Sequence, residues 1–206
     1  VIRLARHITQ RPKILVFNGC YHGTVDDAMV ELRDGKTIGR PGLTGQVTDL
    51  STLAACAEFN DLAGVEALLK TGEIAAILTE PVMTNSCMVL PDPGFHDGVR
   101  ALATKYGALL IIDEIQCGFG RTGKMFAYEH AQITPDVLTV AKPLGGGLPM
   151  GATLLGEAHV SKIHVGDHGS TFGGNPVCAA ASNAILDRLT TPGFVESVAK
   201  KGEQLR

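Results

Sequence analysis

A chain of 206 residues, 45% hydrophobic and 19% charged, has the composition of an ordinary globular protein with apolar content for a sizeable core. Its net charge of -3, from 18 basic and 21 acidic residues, argues against a nucleic-acid surface or a polybasic membrane patch. No apolar run approaches the length that spans a bilayer. The five cysteines (Cys20, Cys56, Cys87, Cys117 and Cys178) are odd in number, scattered and without a CxxC pair. That usage points to a reducing, cytoplasmic compartment and away from a disulfide scaffold or zinc site.

The chain opens on VIRLARHITQRP (1–12), without a Met, which reads as the end of an amphipathic helix already under way. KILVFN (13–18) follows as the first apolar strand. Residues 33–52 are rich in Gly and Thr and are expected to form a loop excursion. Asp61 is placed to cap a helix over LAGVEALLKTG, ending at Gly72. IAAILTE (74–80) is a second strand, and GFHDGVRALATKYG (94–107) a helix that stops at Gly107. ALLIIDE (108–114), VLTVAK (137–142) and ATLLG (152–156) are three more strands. These runs do not alternate with polar residues, the mark of strands buried on both faces of a parallel sheet. NPVCAAASNAILDRL (175–189) is an alanine-rich helix that stops before Pro192. FVESVAKKGEQLR (194–206) reads as a helix cut short, so a fragment of a longer chain is expected. Strand and helix in alternation define an α/β fold with right-handed crossovers.

In such sheets ligands bind beyond the carboxyl ends of the strands. The residues there are Tyr21 and His22, Glu80 and Pro81, Asp113 and Glu114, and Lys142. Lys142 is the only charged residue between Asp136 and Glu157. Burial there would lower its pKa and expose a nucleophilic amine, which makes it a candidate Schiff-base lysine. A lysine after a strand is more usually a solvated loop residue, and the surrounding charge desert speaks against that. Asp113 and Glu114 end a strand one crossover earlier. A carboxylate and a lysine so placed suit pyridoxal 5'-phosphate, which needs an amine for its aldehyde and an acid at its ring nitrogen. Tyr21 is placed to stack on the ring, Gln116 to reach its phenolic oxygen, and Ser170 and Thr171 of HGSTFGGN to bind phosphate. Each of these four, taken alone, is as readily a packing or turn residue.

Two motifs point elsewhere. GFGRTG (118–123) fits the dinucleotide fingerprint and follows a strand. Three residues separate the acidic strand end from its first glycine, however, and the next strand ends in Lys142 rather than an acid, so no nicotinamide or flavin site is expected. His164 and His168 have the i, i+4 spacing of metal ligands on a helix. Gly166 and Gly169 make a helix there unfavourable, and no metal site is expected.

The segment LLIIDEIQCGFGRTGKMFAYEHAQITPDVLTVAKPLGGGLPMGA (109–152), with HGSTFGGNPVCAAA (168–181), resembles class III aminotransferases of fold type I, such as acetylornithine and ornithine aminotransferases. NGCYHGTVDD (18–27) and EPVMTNSCMVLPDPGFHDGVRALATKYG (80–107) resemble glutamate-1-semialdehyde aminomutase and its β-amino-acid aminotransferase relatives. Thr24 stands where ornithine-type enzymes carry a carboxylate-binding arginine, and Asn85 where they carry the glutamate that pairs with a switching arginine.

The resemblance implies that residues 1–206 are part of a pyridoxal-phosphate-binding large domain, with an N-terminal segment and a small C-terminal domain outside the chain. It implies a mostly parallel central sheet with helices on both faces. Lys142 would be the Schiff-base lysine, Asp113 the partner of the pyridine nitrogen, Tyr21 the stacking ring and Gln116 a neighbour of the phenolic oxygen. Thr171, beside Ser170, would reach the phosphate of a neighbouring subunit's cofactor, which implies a homodimer with shared sites. His22, Glu80 and Glu114 would support the site. The implied activity is transfer of an amino group from an amino acid or amine to a keto acid or aldehyde. An aminomutase, or an inactive fragment of such an enzyme, are the other readings.

Overall fold

The computed structural model describes residues 1–205. The chain begins with α1 (Ile2–Thr9), whose Ile2, Leu4 and Ala5 are buried and which ends at Gln10 in the left-handed region. β1 (Lys13–Phe17) follows directly. The next segment departs from the expected loop. β2 (Val30–Arg33) and β3 (Lys36–Gly39) form an antiparallel hairpin. Asp34 and Gly35, with φ of 50° and 73°, make its two-residue turn. Asp-Gly favours that turn because both positions need positive φ. β4 (Ala54–Ala57) also falls outside the expected strands. It is wholly buried, but AACA lacks the β-branched residues that mark a strand.

The rest of the alternation is as the apolar runs and caps imply. α2 (Leu62–Leu69) starts at Asp61, whose carboxylate accepts from the Gly64 amide at 2.9 Å. β5 (Ile74–Thr79), α3 (Phe95–Tyr106) and β6 (Leu109–Asp113) follow, with Gly107 closing α3 at φ 64°. β7 (Val137–Val140) and β8 (Ala152–Leu155) complete the strands. α4 (Glu157–Val160), α5 (Pro176–Leu189) and α6 (Phe194–Gln204) complete the helices. Asn175 caps α5 by accepting from the amides of Val177 and Cys178.

Six strands form one sheet in the order β4-β1-β5-β6-β7-β8. The first five run parallel, so the carboxyl ends of β1, β5, β6 and β7 sit side by side on one edge. β8 departs from the expectation of a strand buried on both faces. It runs antiparallel to β7, and three of its four residues are exposed. The connection 141–151 holds only a short 3-10 turn, too little for the crossover helix that a parallel return needs.

The core lies on the parallel strands. Ile14, Leu15, Phe17, Ile77, Leu110, Ile111 and Ile112 are at most 1% exposed. Each such side chain contributes about 1.5–3 kcal/mol relative to exposure. Phe17, Phe59 and Phe95 pack edge to face with centroids 4.8–5.6 Å apart, joining β1 to α3. Asp136 sets the entry to β7. Its Oδ2 accepts from Arg100 of α3 and from the Leu110 amide, both at 2.7 Å, and its Oδ1 lies 3.2 Å from His159 Nε2. Burial acts to raise the Asp136 pKa, but these bonds outweigh it and hold the carboxyl below its usual range.

Candidate active site at the carboxyl edge of the sheet

The centre of the carboxyl edge is a buried ion pair. His22, just past β1, places Nδ1 2.7 Å from Asp113 Oδ2 at the end of β6. Their side chains are 2% and 7% exposed. Asp113 Oδ1 accepts from the Ile115 amide at 3.1 Å. Burial is the largest single influence on the His22 pKa and lowers it, but the hydrogen bonds to Asp113 and Cys20, with the charges of the same two groups, together outweigh it and raise the value to about 10. The contact thus favours the charged form of His22 facing Asp113. Its buried Nε2 has no hydrogen-bond partner among the described residues.

The turn carrying Tyr21 and His22 is held from three sides. Glu80, 2% exposed at the end of β5, accepts from the Tyr21 amide through Oε1 at 3.2 Å. Its Oε2 accepts from the Thr84 hydroxyl at 2.6 Å and the Thr84 amide at 3.2 Å. Ser86 donates to the Gly19 carbonyl at 2.7 Å. The Arg40 guanidinium donates to the Cys20 carbonyl, and to the Val30 carbonyl at 3.1 Å. Gly19 is required at this turn. It has φ 81°, and a Cβ there would lie 2.7 Å from Ser86 Oγ. Tyr21 itself is 42% exposed.

A cavity of about 400 Å³ opens beside the ion pair. It is lined by Arg3 and Arg6 of α1 and by His22, Asp113, Ile115 and Thr139. Arg6 is already engaged, with a 2.5 Å ion pair to Asp27 and a 3.0 Å bond to the Leu53 carbonyl.

Lys142 lies three residues beyond Thr139, the register partner of Asp113. It is exposed rather than buried, which corrects the expectation of a desolvated amine. The charge desert around it is a glycine loop open to solvent, not a packed wall. Lys142 is also held at φ 43°, a left-handed conformation costly to a residue with a Cβ. Gln116 is half-buried two residues past Glu114, and its carbonyl accepts from Arg121 at 3.1 Å. Ser170 and Thr171 are exposed, on a turn where the Gly173 amide donates to the Ser170 carbonyl at 3.4 Å. Tyr21, Gln116, Lys142, Ser170 and Thr171 do not line the cavity beside Asp113.

Glu114 is fully buried. Its Oε1 accepts from the Tyr128 amide at 2.8 Å and its Oε2 has no partner among the described residues. Burial pushes its pKa up to about 7. The GFGRTG segment packs on the Glu114 backbone, where the Gly118 amide donates to the Glu114 carbonyl at 2.8 Å. A Cβ at Gly118 would meet the Glu114 carbonyl oxygen at 2.8 Å. Only a short 3-10 turn (Ala127–Ala131) follows the glycines, so no helix N-terminus faces them.

The His22–Asp113 pair is the part of the site that residue-by-residue reading underweights. A histidine and an aspartate each stood just past or at a strand end, which was the available signal. Their contact spans 91 positions and depends on β1 and β6 flanking β5.

An α/β sheet with a buried acid, a lysine and an aromatic at adjoining strand ends is the scaffold of a cofactor-dependent enzyme of the fold type I kind. The model for Aminotransferase class-III matches residues 1–206, and the chain belongs to that family, whose members depend on pyridoxal 5'-phosphate. The chain is 38% identical to an acetylornithine aminotransferase of Xanthomonas campestris over 193 residues, covering 94% of this chain and 46% of that protein. It is 40% identical to the acetylornithine aminotransferase of Mycobacterium leprae over 210 residues, 97% of this chain and 48% of that protein. The chain thus spans about half the length of the curated relatives it matches.

Among solved structures, a glutamate-1-semialdehyde-aminomutase from Pseudomonas aeruginosa PAO1 superposes with a TM-score of 0.85 at 33% identity, covering 93% of this chain and 45% of that one. A variant of that enzyme was solved in complex with PMP. The ornithine aminotransferase of Toxoplasma gondii superposes at 0.86 and 27% identity, covering 100% of this chain and 49% of that one. Both branches named by the sequence motifs are therefore represented. Among the described residues, no helix is long and apolar enough to cross a membrane.

Proposed function

We propose that this chain is part of the large domain of a pyridoxal-phosphate-dependent aminotransferase, with the N-terminal segment and small domain supplied by further sequence. The observation that carries the reading is the buried His22–Asp113 ion pair at the end of β6, one strand away from Lys142. A buried carboxylate is the acceptor that a protonated pyridine nitrogen requires, so Asp113 fits the cofactor. The cofactor, when bound, supplies the electron sink for the carbanion left when a substrate's Cα proton departs.

Asp113 would accept the hydrogen bond of the protonated ring nitrogen. His22 fixes Oδ2 from the other side, leaving the remaining lone pairs of the carboxylate for the ring. Glu80, through the Tyr21 amide, holds the Tyr21 ring as a platform for stacking. Lys142 would supply the amine that anchors the aldehyde and would serve as the general acid and base for the substrate's Cα proton. Gln116 would approach the phenolic oxygen, and Glu114, buried at the strand end, would support it. Ser170 and Thr171 serve the phosphate in a neighbouring subunit. Their exposure, with Phe172 and Val177 beside them 80% and 66% exposed, supports a homodimer with shared sites. The substrates are an amino donor and a keto acid or aldehyde acceptor. All five cysteines are free thiols, which supports the cytoplasm as the compartment.

Adding pyridoxal phosphate to the protein that carries this sequence is expected to give a visible absorbance band that Lys142→Ala abolishes. A wild-type protein without such a band would refute the reading. An aminomutase is the second reading, supported by 33% identity to the aminomutase structure against 27% to the ornithine aminotransferase one. It would turn over without an external amino acceptor, and an acceptor-dependence assay separates the two. A third reading, an inactive 206-residue fragment, would be sunk by tight cofactor binding to a compact dimer of this chain alone.

A further inference from the structure

We propose that His7, His164 and Asp167 form a binding site for a borderline divalent cation of the Zn²⁺, Co²⁺ or Ni²⁺ kind. The ion would tie α1 to the segment leading into Ser170 and Thr171. Each of the three residues offers one donor atom, and the three donors lie within 4.8 Å of one another. Some point therefore lies within about 2.8 Å of all three donors, the radius of the smallest sphere that encloses them. Metal–nitrogen and metal–oxygen bonds to these ligands are about 2.0–2.2 Å. Each donor therefore needs to move inward by no more than about 0.8 Å, the difference between those two lengths. All three side chains are exposed, so rotation about their χ angles supplies that movement.

The surroundings already orient the ligands. His7 Nε2 lies 3.1 Å from the Lys162 carbonyl oxygen. A carbonyl only accepts, so Nε2 carries the proton and Nδ1 keeps its lone pair. With Nε2 donating there, Nδ1 is the nitrogen His7 would offer, and donation from the other ring nitrogen to a backbone carbonyl is the usual outer arrangement of a metal-ligating histidine. Asp167 Oδ2 accepts from the His164 amide at 2.7 Å, and His164 Nδ1 stands 3.7 Å from the same oxygen.

His7 and Asp167 also line a cleft of about 140 Å³ with Leu4, His168 and Arg3. Arg3 is the opposing charge there. It is exposed, and its long side chain can swing clear. Two imidazoles and one carboxylate select an imidazole-preferring transition ion over Mg²⁺ or Ca²⁺, which take oxygen ligands. Three protein ligands leave a position for water. The site is independent of the aminotransferase reading, because it shares no residue with the His22–Asp113 centre.

The test is a Co²⁺ titration of the 206-residue chain after chelator treatment, followed by its visible absorbance, with Zn²⁺ as competitor. A saturable one-to-one band displaced by Zn²⁺ is expected. Its affinity should fall by at least tenfold in each of His7→Ala, His164→Ala and Asp167→Asn, and stay unchanged in His159→Ala, a histidine committed to Asp136. His7→Gln, which retains hydrogen-bonding capacity, should lose the band as His7→Ala does. Unfolding midpoints without metal should match wild type, since the three donors are exposed. No saturable band, or less than a tenfold loss in any of the three ligand variants, would overturn the site. Displacement by Mg²⁺ as readily as by Zn²⁺ would overturn the imidazole assignment.

Discussion

Glu114→Gln isolates the cost of keeping one carboxyl buried. The folded-state pKa of Glu114 is raised to about 7 by burial, against 4.5 for the free side chain. A carboxyl shifted upward holds its proton more tightly in the folded state than in the unfolded one. Its contribution to stability is therefore full below about pH 4.5. It is lost as pH rises toward 7, where the folded protein must ionise a group the interior resists. The gap between about 7 and 4.5, at about 1.4 kcal/mol per pH unit, corresponds to about 3 kcal/mol. Glutamine keeps an oxygen for the Tyr128 amide, puts an NH₂ where the unpartnered Oε2 stands, and cannot ionise. The unfolding free energy of the variant minus that of wild type should thus rise by about 3 kcal/mol from about pH 4 to about pH 8. Urea denaturation followed by circular dichroism measures this, as a relative midpoint shift of about 1–3 M. A difference that stays flat across that range, or that falls, would refute the assignment of Glu114 as the desolvated carboxyl.

His22→Ala leaves Asp113 buried and unpaired, and should destabilise the fold by about 3–5 kcal/mol near neutral pH. Because the His22 pKa is raised, the wild-type contribution is fully present below about 6.5 and lost as pH climbs toward about 10. Thermal unfolding across that window should converge for wild type and variant. A constant gap would contradict the ion pair. Gly118→Ala places a Cβ 2.8 Å from the Glu114 carbonyl oxygen, and should cost about 1–3 kcal/mol in urea denaturation. Lys142→Gly relieves a left-handed conformation at φ 43° and should raise stability by about 0.5–1 kcal/mol, while removing the amine that anchors the cofactor. A loss of stability in that variant would show that the backbone there is unstrained.

Much of the fold was legible locally. Strands buried on both faces must be apolar throughout, so KILVF, IAAILT, LLIID and VLTV stood out without any knowledge of their neighbours. Asp61, Gly107 and Asn175 end or start helices through bonds that reach only a few residues. The misses have equally local causes. Alanine and cysteine do not announce a strand at β4, and the Asp34-Gly35 hairpin signal sat within a stretch rich in turn residues. The exposure of β8 and of Lys142 depends on what lies across the sheet, which no window of sequence contains.

The sequence by itself determined which residues stand at the ends of strands: Tyr21 and His22, Glu80, Asp113 and Glu114, and Lys142. The chemistry of a lysine and an acid near such an edge followed from residue type and spacing. Only the tertiary structure decided which of those residues meet. The order β4-β1-β5-β6-β7-β8 brings His22 to Asp113 across 91 positions. The packing of the far segment on α1 brings His7, rather than the evenly spaced His168, to His164 and Asp167. Local patterns encode periodicity and caps because their interactions act over a few residues. Contacts between distant segments are set by how the sheet and its helices pack, and that is decided by the whole chain at once.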